Sequence, residues 1–279
     1  MLSLVDGQSA SCVPLDDRGL QYGEGLFETV LVDAGEPLAW NLHMARLAQG
    51  CRALGLPDPP LAALHQDALQ LCGALDGPAV LKLTLTVQGA GRGYARPPSV
   101  TWRRIVHITP APDWPAADYQ RGIRVRWCRQ LWFPEPRLAG IKHLNRLTQV
   151  LARAEWDDSD IAEGLLRDPS GAVIGGTMSN LFLVRDGVLF TPVIRNCGIK
   201  GTLRARILAC AGELGIPVRE SVLAVADCHR ADELLLCNAV RGIRPIRMLG
   251  RQSFDVGRVT QALQRAIAGP WPRPTGAVA

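Results

Sequence analysis

Apolar and polar residues alternate along Leu81-Lys82-Leu83-Thr84-Leu85-Thr86-Val87, which predicts a strand with one buried face. Residues 1–5, 25–32 and 101–109 read as further strands. Between them the pattern switches to a helical period. Asn41 can cap a helix carrying Leu42, Ala45, Leu47 and Leu54, and 61–75 reads as a second helix. Residues 89–93, Gly-Ala-Gly-Arg-Gly, form a loop, and 110–119, with three prolines, reads as an interdomain linker. The second half predicts strands at 123–128, 161–167, 172–174, 180–184, 188–190 and 233–237. Helices are expected at 143–156, at 202–214 with a stop at Gly215, and at 256–268. This pattern divides the chain into a smaller domain, 1–110, a linker, 111–119, and a larger domain, 120–279.

Composition narrows the class. Hydrophobic residues make up 47% of the 279 residues and charged residues 20%, the balance of a soluble globular protein. No apolar run reaches a membrane span, and the N-terminus lacks the features of a signal peptide, so the expected location is the cytoplasm. The eight cysteines include no CxxC pair, so they are expected to be reduced thiols rather than metal ligands. The net charge of +5 comes from scattered arginines with no basic run, which argues for a solvated surface and against a nucleic-acid partner.

The choice of basic residue is more informative. Of 31 basic residues only Lys82, Lys142 and Lys200 are lysines. A lysine kept in an arginine-using chain is a candidate for work that guanidinium cannot do, such as losing a proton and attacking a carbonyl. Lys82 lies on the polar face of its strand and reads as solvated. Lys200 could be a surface residue or lie near a bound anion. Lys142 follows small and apolar residues, Leu138-Ala139-Gly140-Ile141, where partial desolvation would lower its pKa and make it a usable nucleophile and base. Downstream, the segment 198–204, Gly-Ile-Lys-Gly-Thr-Leu-Arg, joins glycines to a helix start, a combination able to cradle a phosphate.

Four segments resemble a known family. Residues 17–29, Asp-Arg-Gly-Leu-Gln-Tyr-Gly-Glu-Gly-Leu-Phe-Glu-Thr, look like the opening motif of the fold-type IV pyridoxal-phosphate (PLP) enzymes. His43-Met-Ala-Arg46-Leu, Gly171-Ala-Val-Ile-Gly-Gly-Thr-Met-Ser-Asn180-Leu-Phe and Cys237-Asn238-Ala239-Val complete the series. This superfamily includes branched-chain and D-amino-acid aminotransferases. Two further segments, Gly89-Ala-Gly-Arg92-Gly93-Tyr94 and Leu138-Ala-Gly-Ile-Lys142-His-Leu-Asn145-Arg146-Leu, are similar to its aminodeoxychorismate lyase branch, which makes 4-aminobenzoate for folate synthesis.

The resemblance implies a mixed α/β, two-domain homodimer with PLP at the domain interface. It matches Lys142 to the Schiff-base lysine and Arg46 to a phosphate-binding arginine, which read without it would be a solvated helix charge. Gly201, Thr202 and Leu203 match the phosphate-binding helix start, and Asn180, Asn238 and Ala239 also fall on cofactor-binding motifs. Thr29, otherwise an ordinary strand threonine, matches a position that assists acid–base chemistry. Arg92 and Tyr94 are expected at the substrate, with Arg241 and Arg244 as further partners for its carboxylates.

One position departs from the pattern. Five residues before Asn180 the family carries a glutamate that pairs with the pyridine nitrogen of PLP, and here the residue is Gly175. Either another acid such as Glu24 or Glu28, or a water, substitutes, or the ring is a poorer electron sink, or activity is lost. If the pocket has room, Gly175→Glu is expected to raise turnover. Three functions therefore stand: the lyase, an aminotransferase, and a PLP-binding protein with impaired catalysis.

Overall fold

The computed structural model describes residues 2–89 and 93–273. By contacts the chain separates into two units: one runs through Pro112 and includes Ile141–Asn145, and the other comprises Asp113–Gly140 and the chain from Arg146 onward.

The first unit contains β1 (Leu2–Val5), β2 (Gln8–Ser9), α1 (Arg18–Tyr22), β3 (Gly25–Asp33), β4 (Glu36–Pro37), α2 (Trp40–Ala53), α3 (Leu61–Cys72), β5 (Ala79–Val87) and β6 (Trp102–Pro110). Its strands form one antiparallel sheet in the order β2-β1-β6-β5-β3-β4. The alternation in β5 is kept: Leu81, Leu83 and Leu85 are buried while Lys82 and Thr84 are half-buried. Register places Leu26 opposite Leu85 and Glu28 opposite Leu83, so these residues share the buried face. Helix α2 packs on that face so closely that a Cβ at Gly50 would lie 2.8 Å from the Leu26 side chain. Phe27 and Thr29, opposite Thr84 and Lys82, occupy the other face.

The second unit contains α4 (Ala116–Gln120), β7 (Ile123–Leu131), α5 (Leu147–Arg153), β8 (Ile161–Arg167), β9 (Val173–Gly176), β10 (Asn180–Arg185), β11 (Val188–Pro192), α6 (Thr202–Glu213), β12 (Val218–Ser221), α7 (Val225–His229), β13 (Glu233–Asn238), β14 (Gly242–Leu249), β15 (Gln252–Ser253) and α8 (Arg258–Ala266). Its mixed sheet runs β12-β11-β10-β13-β14-β7-β8-β9, and β15 joins at β14. Leu165, Leu181, Leu183, Leu234, Leu236 and Ile246 form its core.

Three expectations are corrected. The helix expected at 143–156 is only α5, because the Phe27 N–H donates to the Lys142 carbonyl and the Leu144 N–H to the Gly25 carbonyl, leaving this stretch bonded to β3. The helix expected from an Asn41 cap starts at Trp40 instead, behind Ala39 in a left-handed conformation (φ 52°). The stretch read as a linker contains the change of unit between Pro112 and Asp113, and it is not structureless, since it carries most of α4, which buries Tyr119. No helix among the described residues is long and apolar enough to cross a membrane.

Candidate active site

Within the first unit, β3 is the organising strand. The extended segment at 142–144 lies along it and sets the half-buried Lys142 ammonium 4.3 Å from the Phe27 ring centroid. An aromatic face stabilises a cation by about 0.5–2 kcal/mol, more where water is excluded. Thr29, two residues along, shares the face of Phe27 and is half-buried. Lys82 is half-buried opposite Thr29, its ammonium 5.5 Å from the same Phe27 ring, so the reading of a freely solvated strand lysine does not hold. His107 stands across from Lys82, and burial, followed by the Lys82 charge, lowers its imidazole pKa.

On the opposite face Glu28 gathers two residues from α2. Arg46 donates to both of its carboxylate oxygens, through Nε at 2.8 Å and through a terminal nitrogen. His43 Nδ1 lies 2.7 Å from Glu28 Oε2. Burial alone would raise the Glu28 pKa, but the Arg46 charge and the hydrogen bonds from Arg46 and His43 outweigh it and hold the carboxyl at about 2. Burial pushes the His43 pKa down against the pull of Glu28, and the charges of Arg46 and Lys142 push the same way. Positions 43 and 46 are a helical turn apart, and Glu28 falls on the inward phase of β3; that spacing was the available signal for this cluster.

In the second unit Asn180 organises the start of α6. Its Nδ2 donates to the Ile199 carbonyl at 2.8 Å, and its Oδ1 accepts from the Gly201 N–H at 3.1 Å. A Cβ at Gly201 would lie 2.2 Å from that oxygen, so a side chain here would displace the Asn180 amide. Gly201 supplies no side-chain cap, and the helix opens on buried Thr202 and Leu203, the arrangement that suits an anion at first-turn N–H groups. Gly140, two residues before Lys142, is bonded in both directions to the loop before α6, donating to the Gly198 carbonyl and accepting from the Lys200 N–H. Asn238 shapes the turn out of β13: its Oδ1 accepts from the Val240 and Arg241 N–H groups at 3.0 and 2.7 Å, with half-buried Ala239 between.

The substrate candidates are placed unequally. Arg92 lies outside the described residues. Tyr94 is 88% exposed, its ring edge-on to Tyr22 at 5.5 Å. Arg241 is half-buried and its carbonyl accepts from the Tyr119 hydroxyl at 2.8 Å. Arg244 is buried and pairs with Asp118 at 3.6 Å.

Gly175 sits in β9 at φ 155°, a conformation that side chains rarely adopt, and a Cβ there would lie 2.9 Å from the Ser179 carbonyl oxygen. The backbone has no room for the glutamate expected to raise turnover. Gly175→Glu is therefore expected to destabilise the protein by roughly 1–3 kcal/mol or more, without a gain in rate. Thermal denaturation and kcat, measured together, check this; a folded variant of unchanged Tm and higher kcat would contradict it. Of the alternative acids, Glu24 is paired with Arg18 and Arg96, and Glu28 with Arg46 and His43. The acid bonded to this loop is buried Glu163, which the sequence reading missed. It accepts from the Gly164, Thr177 and Met178 N–H groups and from the Thr177 and Ser179 hydroxyls, and so braces the turn between β9 and β10.

Comparison with known proteins follows these features along the chain. The Amino-transferase class IV family matches residues 25–249. The chain is 32% identical over 266 residues to an aminodeoxychorismate lyase of Vibrio harveyi, covering 93% of this chain and 97% of the relative. A crystal structure of 4-amino-4-deoxychorismate lyase from Pseudomonas aeruginosa superposes with a TM-score of 0.91 at 45% identity, covering 95% and 97% of the two chains. The branched-chain amino acid aminotransferase of Escherichia coli gives 0.84 at 25% identity, covering 95% and 92%. With a match that spans most of its length, from the strand that carries Phe27 and Glu28 to the end of β14, the chain belongs to the amino-transferase class IV family.

Proposed function

We propose that this chain is a PLP-dependent carbon–oxygen lyase that converts 4-amino-4-deoxychorismate to 4-aminobenzoate and pyruvate, in the cytoplasm and for folate synthesis. The observation that carries the reading is Lys142: a half-buried amine against Phe27, in a chain with only three lysines. The residues fit the cofactor. An aldehyde needs a deprotonatable amine, and a phosphate suits the N–H groups of a helix start, the place taken here by Gly201 and Thr202. Asn180 orders the loop before that helix and Asn238 the turn that holds Ala239, while Arg46, matched by the resemblance to a phosphate arginine, is engaged by Glu28.

Bound PLP supplies an electron sink for the substrate carbon that bears the amine. Lys142 Nζ takes the proton from that carbon, and the Phe27 ring steadies the ammonium so formed. Thr29, on the same face, assists proton movement. The carbon–oxygen bond to the pyruvyl group then breaks and the product ring becomes aromatic. That gain makes elimination tolerant of a weak sink, which is why a glycine at position 175 harms a lyase less than an aminotransferase.

The substrate's two carboxylates call for arginines. Arg92 takes one, with Tyr94 as a further substrate contact, and Arg241 takes the other rather than Arg244, which Asp118 already engages. Arg92→Ala is expected to lower kcat/KM about tenfold or more, since a charge-assisted pair contributes about 1.5–3 kcal/mol. Steady-state kinetics check it, and unchanged kinetics would remove Arg92 from the site.

The working form is a homodimer, and α5 leaves Leu147, Val150 and Leu151 exposed at 68%, 59% and 50%, a face suited to a second copy. Val150→Glu is expected to shift the sedimentation coefficient to that of a monomer; an unshifted dimer would clear α5 of this role.

The deciding experiment mixes PLP-loaded protein with aminodeoxychorismate and follows 4-aminobenzoate and pyruvate. The resemblance to the aminotransferase fold favours a second reading, tested with D-alanine and 2-oxoglutarate: pyruvate and glutamate there, without 4-aminobenzoate in the first assay, would establish it. A cofactor spectrum with turnover in neither assay would leave a PLP-binding protein impaired by Gly175.

A further inference from the structure

Arg18 is 3% exposed, and apart from the Tyr22 ring its partners lie outside its own helix. Its guanidinium reaches across 76 and 77 residues to the carbonyls of Tyr94 and Ala95, at 3.2 and 3.1 Å, and donates through Nε to Glu24. The same Glu24 carboxylate accepts on its other oxygen from Arg96 Nε. Arg96 in turn donates to the Gly55 and Leu54 carbonyls at 3.1 and 2.9 Å. The Arg18 plane lies 4.8 Å from the Tyr22 ring, and Tyr22 meets Tyr94 edge-on. Burial would raise the Glu24 pKa, but the hydrogen bonds from Arg18 and Arg96 lower it, so the carboxylate stays charged between two cations.

The loop is therefore tied through its backbone at 94 and 95 and through the side chain of Arg96, while the Tyr94 side chain is left 88% exposed. Burying an arginine is costly unless every donor is used, and a loop that only connected β5 to β6 would not need it. Ordering the backbone beneath an exposed aromatic ring pre-pays the entropy of using that ring in binding.

We propose that Arg18 and Glu24 are positioning residues: they latch residues 94–96 so that Tyr94 is presented rigidly to the substrate, and they govern substrate affinity rather than the chemical step. This rests on the reading of Tyr94 as a substrate residue in the proposed lyase.

The test uses PLP-loaded Glu24→Gln, which keeps the shape of the side chain and removes its charge. Hydrogen exchange at the amides of 94–96 should quicken about tenfold, and KM for aminodeoxychorismate should rise about tenfold with kcat within about twofold. Glu24→Asp should recover part of both. Tyr94→Ala, a change at an exposed position that folding tolerates, should raise KM alone, and adding Glu24→Gln to it should raise KM little further, because both act through one side chain. Unchanged exchange in Glu24→Gln overturns the latch. Faster exchange with unchanged KM, or KM effects that multiply in the double variant, overturns its role in substrate binding. Should the wild type form no 4-aminobenzoate, the lyase reading fails separately: the exchange measurement still judges the latch, and KM is then measured on whichever amino donor the enzyme uses.

Discussion

Replacing Lys142 with alanine is expected to reduce turnover by at least ~10³-fold, as removal of a catalytic base does, while leaving the fold intact. Lys142 is half-buried rather than sealed in a core, and its segment is held to β3 through main-chain bonds that alanine retains. The protein should still bind PLP weakly through the phosphate, but without a covalent link. Lys142→Arg should be as inactive, because guanidinium keeps its proton at any working pH. Borohydride reduction of the loaded wild type followed by peptide mapping locates the link directly. The structure sharpens this test, because the Lys82 ammonium lies only 5.5 Å from the centroid of the same Phe27 ring. A label on Lys82 or Lys200, or turnover that survives in Lys142→Ala, would refute the assignment.

Removing the carboxylate of Glu28 should be the most destabilising single change near the site. Glu28→Ala would leave Arg46 and His43 facing a void where they now bind both oxygens of one buried carboxylate. Breaking a buried ion pair from one side costs roughly 3–5 kcal/mol. For a chain of this size that lowers Tm by on the order of 10 °C. Glu28→Gln keeps the volume and separates the charge effect from the cavity. The sign of the pH dependence follows from the depressed pKa. Glu28 is held at about 2 in the folded protein against 4.5 ordinarily, so it binds its proton more readily unfolded than folded. Its contribution, roughly 3 kcal/mol from the size of the shift, is fully present above about pH 4.5 and is lost as pH falls toward 2. The Tm difference between wild type and Glu28→Gln should therefore be constant near neutrality and shrink below pH 4.5. A difference that stays constant through that range, or grows, would show that the charge on Glu28 does not stabilise the fold.

Much of the architecture could be read locally. The period-two run at 81–87, the 202–214 helix with Gly215 behind it and the turns at 168–171 and 185–187 all carry their signal within a few residues, and each is found close to where it was expected. The failures share one cause. The chain just after Lys142 looked helical, but the Lys142 carbonyl and the Leu144 N–H are bonded to β3, more than a hundred residues away in the chain. Strand β14 went unread because Pro245 breaks the pattern, although neighbours on both sides accommodate it.

The sequence by itself determined the chemistry available to this protein. Scarce lysine, a glycine-opened helix start and a long stretch of family motif single out Lys142, Gly201 and Thr202 without any coordinates. Tertiary structure alone decided which residues work together. Whether Glu28 or Thr29 faces α2 depends on strand phase, and strand phase is set by packing of the whole sheet. The gathering of Glu28, His43 and Arg46, the second lysine on the Phe27 ring, and the reach of Arg18 to Tyr94 are contacts between distant positions. Gly175 shows the same limit from the other side. Its identity could be read as a missing acid, but its φ of 155° and the Ser179 carbonyl against it, which forbid putting the acid back, come from the pairing of β9 and the turn beyond it. A backbone angle is imposed by the neighbours a residue meets after folding, and those neighbours are not adjacent to it in the chain.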